Sequence, residues 1–303
     1  MSPGEKVTVE VEGKELVLSN LDKVLYPKTG FTKADLISYY SKVAPAMLPH
    51  LAGRPVTVLR FPDGVDGGGF FAKNVPKGAP PWLQSIEVKS GARGGPDSTR
   101  YPLVDGLPAL IYLVNLAAIE VHVPMWHLPL DHGEPNPDEL VFDLDPGPPA
   151  GLTECCVVAL ELRERLEARR LTPVAKVSGK KGLQLYCPVR PMAAEAARTM
   201  ALDLAEEFAS ARPDLAVTNM RKELRRGKVL IDWSQNVPAK TTVAPYSLRA
   251  EESPSVSTPL RWEEVEGVAN GAPVVELRFA PDQVLQRVEA EGDLFSPLLQ
   301  KRR

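Results

Sequence analysis

Cysteine is scarce, with three residues in 303, two adjacent at Cys155 and Cys156 and the third at Cys187. That set builds neither a disulfide framework nor zinc-ligand spacing, so all three are expected to be reduced core thiols. Histidine is almost as rare, at four. His122, His127 and His132 recur every five residues, a spacing that fits no ordinary zinc motif and is broken by Pro124 and Pro129. No apolar run is long enough to span a bilayer, and the start MSPGEKVTVE lacks the apolar stretch of a signal peptide. A cytoplasmic protein with no membrane partner is therefore expected. A strong excess of one charge is also missing, since the net value is −3.

That small net charge hides a division along the chain. From Arg221 to Arg249 there are seven Lys or Arg against two acids, whereas Glu251 to Asp293 holds ten acids against three Arg. A basic face can attract a polyanion locally while an acidic region keeps the protein soluble; each run also reads as ordinary solvated surface. With 44% hydrophobic and 25% charged residues, the chain can bury a sizeable core.

The alternation VTVEVEGKELVL (7–18) predicts a hairpin turning near Gly13. Thr32 is a good N-cap for the helix KADLISYYSKVAPAML, with Asp35 placed for a capping box. Further helices are expected near Leu107–Ala118, Leu152–Arg170 and Ala193–Ser210. Strands are expected at PVTVLRF (55–61), IEVHVP, LVFDLD, TPVAKVS, LQLYCPV, KVLIDW and TTVAPY. Lys73 to Arg100 is rich in Gly, Pro and basic residues and reads as long loops. No repeat or linker interrupts the chain. A single α+β domain over 1–303 is expected, with a core of about 20–250 and an acidic C-terminal extension, 251–303, packed on it.

The chemistry gathers around three acids. In LVFDLDPG (140–147) a strand's period of two puts Asp143 and Asp145 on one face, where like charges repel unless a cation lies between them or one keeps its proton. The plain alternative is a strand entering an Asp-Pro-Gly turn. Asp232, in KVLIDWSQN (228–236), adds a third carboxylate near a strand end. Three such acids are a usual way to hold two hard cations, Mg²⁺ or Mn²⁺, for phosphoryl transfer. SGKKG (178–182) offers backbone N–H groups and an ammonium to a triphosphate, or is a basic hairpin turn; it lacks the GxxxxGK[ST] pattern.

LVFDLDPG, SGKKGLQLY, VLIDWSQN and APYSLR, in this order and spacing, resemble the archaeo-eukaryotic primase superfamily, and within it the polymerase domain of bacterial ligase D and its stand-alone relatives. The resemblance runs from NLDKVLYP (20–27) to about Arg249. It implies a primase-polymerase core of two twisted, mainly antiparallel sheets flanked by helices. It also implies a template-directed nucleotidyltransferase using NTPs, which relatives often prefer, or dNTPs. Asp143, Asp145 and Asp232 match a metal-binding catalytic triad for two Mn²⁺ or Mg²⁺ ions. His122, Ser178, Lys181 and Arg249, with Gln235 a lesser candidate, match positions that hold the nucleotide's phosphates and sugar. Phe70 and Phe71 match an aromatic pair that stacks on the base and template, although core packing is the bland reading for either. Asn20, Lys23 and Lys33 match a pocket for a downstream 5′-phosphate, with Arg225 near the same nucleic acid.

The implied partner is gapped or broken double-stranded DNA with a 5′-phosphate, and the implied role is gap filling or non-homologous end joining beside a separate DNA ligase and an end-binding protein. The family commonly has histidine where this chain has Gln184, which hydrogen-bonds but carries no charge. No nucleotidyl-ligase motif is recognisable, and the sequence leans toward a stand-alone enzyme. Three alternatives stay open: a metal-dependent nuclease, a non-catalytic end-binding module, and a zinc protein built on the spaced histidines.

Overall fold

The computed structural model describes residues 6–89, 98–128 and 136–300. They form two compact units, each assembled from separated stretches of chain. One contains residues up to Pro124 together with Tyr246–Val256 and Ala280–Gly292; the other contains Met125–Pro245, Ser257–Phe279 and the segment from Asp293 onward. The acidic stretch after residue 250 is thus divided between the units and contributes to both.

The first unit opens with the expected hairpin, β1 (Lys6–Val11) paired with β2 (Lys14–Ser19). Glu12 and Gly13 turn it with φ of 48° and 72°, the left-handed pair that matches strand twist. Helix α1 (Lys33–Leu51) starts at Thr32, whose side chain accepts from the Asp35 N–H while the Asp35 carboxylate takes the Thr32 N–H at 2.8 Å, completing the capping box. Thr32→Ala is expected to cost about 1 kcal/mol in chemical denaturation; no change would show the cap to be redundant. Next comes β3 (Thr57–Arg60), which pairs antiparallel with β4 (Phe70–Ala72) and, after α2 (Leu107–Asn115), with β5 (Ala118–Val123). A helix at Pro281–Glu291 packs on α1 and buries Val284. The sequence reading did not foresee that helix. It also read 73–100 as loop, where Ser85–Lys89 and Ser98–Pro102 pair as strands; 90–97 lie outside the described residues.

The second unit is organised on β6 (Glu139–Pro146). Around it lie α3 (Leu152–Ala168), β7 (Val174–Val177), β8 (Leu183–Pro188), α4 (Ala194–Ala211), β9 (Ala216–Val217), β10 (Val229–Asp232), β11 (Pro259–Leu260) and α5 (Trp262–Ala269). The sheet order is β9-β10-β6-β8-β7-β11, antiparallel throughout except β9 with β10. Strand periodicity sorts the residues of β6 between its two faces. Leu140, Phe142 and Leu144 join the apolar cluster that includes Val158 and Leu162 of α3 and Ala201 and Phe208 of α4. On the opposite face Val141 packs with Tyr186, Phe295 and Leu298, and the next two positions on that face are Asp143 and Asp145. The three cysteines are free and buried, as expected. Among the described residues no helix is long and apolar enough to cross a membrane.

Candidate active site

Across the sheet of the second unit, Asp232, Asp143, Gln184 and Lys176 stand in register on β10, β6, β8 and β7. Asp145 lies two residues beyond Asp143 on β6, opposite Leu230. The three expected acids are therefore neighbours on one sheet, as the alternation of LVFDLDPG predicted for its own pair. Burial pushes Asp143 up to about 7, the Asp145 charge adds to this and Asp232 also raises it, while a hydrogen bond from Gln184 and the Lys176 charge oppose the rise. Asp145 is raised by desolvation and by Asp232, and Arg225 pulls it down.

Asp232 also caps a 3₁₀ turn, Trp233–Gln235. Its Oδ1 accepts from the Ser234 N–H at 2.8 Å and the Ser234 hydroxyl at 2.7 Å, and its Oδ2 accepts from Gln235 Nε2 at 2.8 Å. Lys240 donates in turn to Ser234 Oγ. Gln235, expected at the nucleotide, here serves Asp232. The turn is anchored by Asn236, whose amide exchanges bonds of 2.8 and 2.7 Å with the Val141 N–H and carbonyl, continuing the ladder where β10 ends.

Among the described residues no three Asp, Glu, His or Cys side chains are drawn together as a finished metal cage. The donor set nevertheless fits a hard divalent cation: three carboxylates on adjacent strands, two of them raised first by burial and then by a neighbouring carboxylate's charge, an environment that a cation would relieve.

The SGKKG turn lies beside these acids. Ser178 closes it, donating its N–H to the Gly182 carbonyl at 2.9 Å and accepting from the Lys180 and Gly182 N–H groups on its hydroxyl. Gly179 adopts φ of 76°. At Gly182 a Cβ would stand 2.3 Å from the Leu144 carbonyl oxygen and 3.4 Å from Asp145 Oδ1, so the turn abuts the acid strand with no room for a side chain. Lys180 and Lys181 are exposed. Arg225, in the 3₁₀ turn Lys222–Arg225, approaches the same strand end: a Cβ on Gly147 would meet its carbonyl at 2.0 Å.

In the other unit, His122 Nε2 lies 3.0 Å from Glu120 Oε2, and Arg249 Nε lies 3.3 Å from Glu120 Oε1. Glu120, 1% exposed, thus joins two residues expected at the nucleotide. It was missed, although the period of two in IEVHV puts Glu120 and His122 on one face. Phe71 packs edge-on against His122 at 5.5 Å, and the Arg60 guanidinium lies over the Phe70 ring at 5.4 Å. At 49% and 58% exposure, neither Phe70 nor Phe71 is core, which removes the bland reading of the pair.

Asn20, Lys23 and Lys33 come together in this unit as expected. Asn20 takes φ of 52° and its carbonyl accepts the Lys23 N–H, while the Lys33 N–H donates to the Lys23 carbonyl at 2.9 Å. The Lys33 ammonium is lowered to about 8, chiefly by burial and further by Lys23 and Arg60. Arg60 is a cation of this cluster that the sequence reading missed. Lys23 pairs with Asp63 at 3.0 Å. Arg225, expected near the same nucleic acid, belongs to the other unit, where its charge lowers Asp145. The spaced histidines do not form a group within one unit: His122 is held by Glu120, His127 pairs with Asp138, and His132 lies outside the described residues.

Comparison with known proteins gives this geometry a context. The chain is 42% identical over 285 residues to the multifunctional non-homologous end joining protein LigD of Mycolicibacterium smegmatis, covering 93% of this chain and 36% of that protein. It is 33% identical to the bifunctional LigD of Bacillus subtilis, covering 93% of this chain and 44% of that one. The chain thus spans less than half the length of these relatives. The solved polymerase domain of Mycobacterium tuberculosis ligase D in complex with DNA superimposes with a TM-score of 0.86 at 41% identity, covering 94% of this chain and 98% of that one. A family model described as LigD, primase-polymerase domain matches residues 32–295. The chain belongs to the LigD primase-polymerase domain family.

Proposed function

We propose that the protein is a template-directed nucleotidyltransferase that extends a primer 3′-hydroxyl from NTPs or dNTPs at short gaps or broken DNA ends, in gap filling or end joining. The observation that carries this reading is the register of Asp143 with Asp232, with Asp145 on the same strand, beside the Ser178–Gly182 turn. Asp143, Asp145 and Asp232 would hold two Mn²⁺ or Mg²⁺ ions, which supply activation of the 3′-hydroxyl and neutralisation of the triphosphate. Ser178 and Lys181 would orient the triphosphate through backbone N–H groups and an ammonium. Gln235 would hold Asp232 in place, and Arg225 would offset the charge of Asp145. His122 and Arg249, fixed by Glu120, are proposed as nucleotide contacts, and Phe70 and Phe71 as stacking surfaces. Asn20, Lys23 and Lys33 are proposed to bind a downstream 5′-phosphate, an anion with more charge than a phosphodiester.

The deciding experiment is primer extension on a gapped duplex with Mn²⁺, comparing NTPs with dNTPs and a 5′-phosphate with a 5′-hydroxyl. Extension that depends on the phosphate supports the reading; degradation of the primer instead would replace it with a nuclease. Phe71→Ala is expected to slow extension roughly tenfold, in line with about 1–3 kcal/mol per stacked base, while leaving stability within about 0.5 kcal/mol. Lys33→Met should erase most of the preference for a 5′-phosphate in a DNA-binding titration, and an unchanged preference would remove this residue from the pocket.

A further inference from the structure

Lys176 is an unusual residue for the middle of a strand: a lysine with 0% exposure, in register with Gln184. Its ammonium donates to Gln184 Oε1 and, at 2.8 Å, to Ser257 Oγ, and it lies 5.4 Å from the centre of the Tyr186 ring. The Tyr186 hydroxyl also donates to Gln184 Oε1 at 3.3 Å and sits 2.7 Å from Thr242 Oγ1. An ammonium has no acceptor, so the amide oxygen of Gln184 must face Lys176. The NH₂ end is thereby turned the other way, toward its hydrogen-bond partner Asp143, which is its cross-strand neighbour on β6. A lone glutamine on a sheet could flip its amide at little cost; one clamped by a buried cation cannot. The fixed order Lys176, Gln184, Asp143 therefore runs in one direction across three strands.

We propose that Lys176 is a positioning residue which, through the Gln184 amide, holds the Asp143 carboxylate in one orientation for the divalent cation. This rests on the reading of Asp143 as a metal ligand. A carboxylate backed by an oriented donor presents its remaining lone pairs in a set direction, and outer partners of this kind typically change metal affinity by about 10–100-fold when removed. A cation acting only through its field would do the opposite, since its removal would strengthen binding of Mn²⁺.

The test is Mn²⁺ titration of the whole protein, followed by electron paramagnetic resonance without nucleotide, with the kcat and KM of single-nucleotide extension measured alongside. Wild type should bind Mn²⁺ and Asp143→Ala should lose it. Lys176→Met and Gln184→Leu should each weaken binding about tenfold, and the double variant should be no weaker than either alone because both act on one relay. The kcat should fall while the nucleotide KM stays within about twofold. Tighter or unchanged Mn²⁺ binding in Lys176→Met overturns the proposal, as does a double variant whose losses multiply. Should Lys176→Met fail to fold, Ser257→Ala removes one anchor of the ammonium and keeps the charge; a Mn²⁺ affinity weakened about two- to threefold supports the relay, and an unchanged one overturns it. Loss of Mn²⁺ binding confined to the Lys176 and Gln184 variants bears on the relay, whereas a wild type that binds no Mn²⁺, or an Asp143→Ala that still binds it, fails the metal reading and the relay together.

Discussion

Asp143→Asn is expected to abolish metal-dependent extension, by at least about a thousandfold, and at the same time to make the metal-free protein more stable above neutral pH. The two effects have one cause. Burial, and after it the charges of Asp145 and Asp232, push the Asp143 carboxyl from 3.8 to about 7, so its ionised form is disfavoured by the fold. A carboxyl raised in this way stabilises the fold fully below about pH 4, and that contribution is lost as the pH rises through about 7. The rise corresponds to roughly 4 kcal/mol at most, and because Asp143 titrates together with its carboxylate neighbour only part of it, on the order of 2 kcal/mol, is expected to belong to this group. Asparagine keeps the shape and removes the charge, so Tm in EDTA at pH 8 should rise by about 5 °C and at pH 4 should hardly change. Adding Mn²⁺ should raise the Tm of wild type and not that of the variant. Retained extension would sink the assignment of Asp143 as a ligand; a Tm unaltered at pH 8 would sink the account of a buried carboxyl crowded by its neighbours.

Gly182→Ala carries the second large effect. Its Cβ would fall 2.3 Å from the Leu144 carbonyl oxygen, a backbone atom of the central strand that cannot swing aside. The turn must lift away from β6, breaking the closure of Ser178 on Gly182 and moving Lys181 from the acids' strand end. A cost of about 1–3 kcal/mol in stability follows from such overpacking, with a fall in extension of about a hundredfold because a misplacement near 1 Å is enough for that. The contrasting control is Gly13→Ala, where no atom lies within 4 Å: its positive φ should cost about 1 kcal/mol of stability and leave extension unchanged. Equal losses of activity in the two variants would mean that Gly182 matters only for folding.

What could be read without coordinates follows from how local each signal is. The hairpin at Glu12 and Gly13, the Thr32 capping box and the pairing of Asp143 with Asp145 on one face depend on residues within a few positions of each other, and all three are found. Asn20, Lys23 and Lys33 are also found together, but only their resemblance to a known family singled them out. Cross-strand neighbours carry no mark in the linear text. Nothing in TPVAKVS announces that Lys176 lies opposite Gln184, and although the period of two in IEVHV puts Glu120 beside His122, nothing there announces Arg249. The helix at Pro281–Glu291 had a usable signal, proline at its first turn, masked by its acidic composition. Arg60 was overlooked because a lone arginine at a strand end has no pattern; its meaning comes from the burial of Lys33 nearby.

The interleaving of chain segments has a consequence for how the protein comes into being. Val284, from the thirteen residues at Ala280–Gly292, completes the first unit, and Phe295 and Leu298 complete the second against Val141 and Tyr186. At a synthesis rate of about 5–20 residues per second, neither core is complete until the residues near 280–300 have been made, well over a hundred after the acid strand. The acid strand therefore waits, unfinished, while those later residues are made. Folding depends on contacts more than a hundred residues apart, which makes it slow and exposes apolar strands in the interval. A trimmed form ending near Arg249 would keep every proposed catalytic residue and lack the pieces that let either core close.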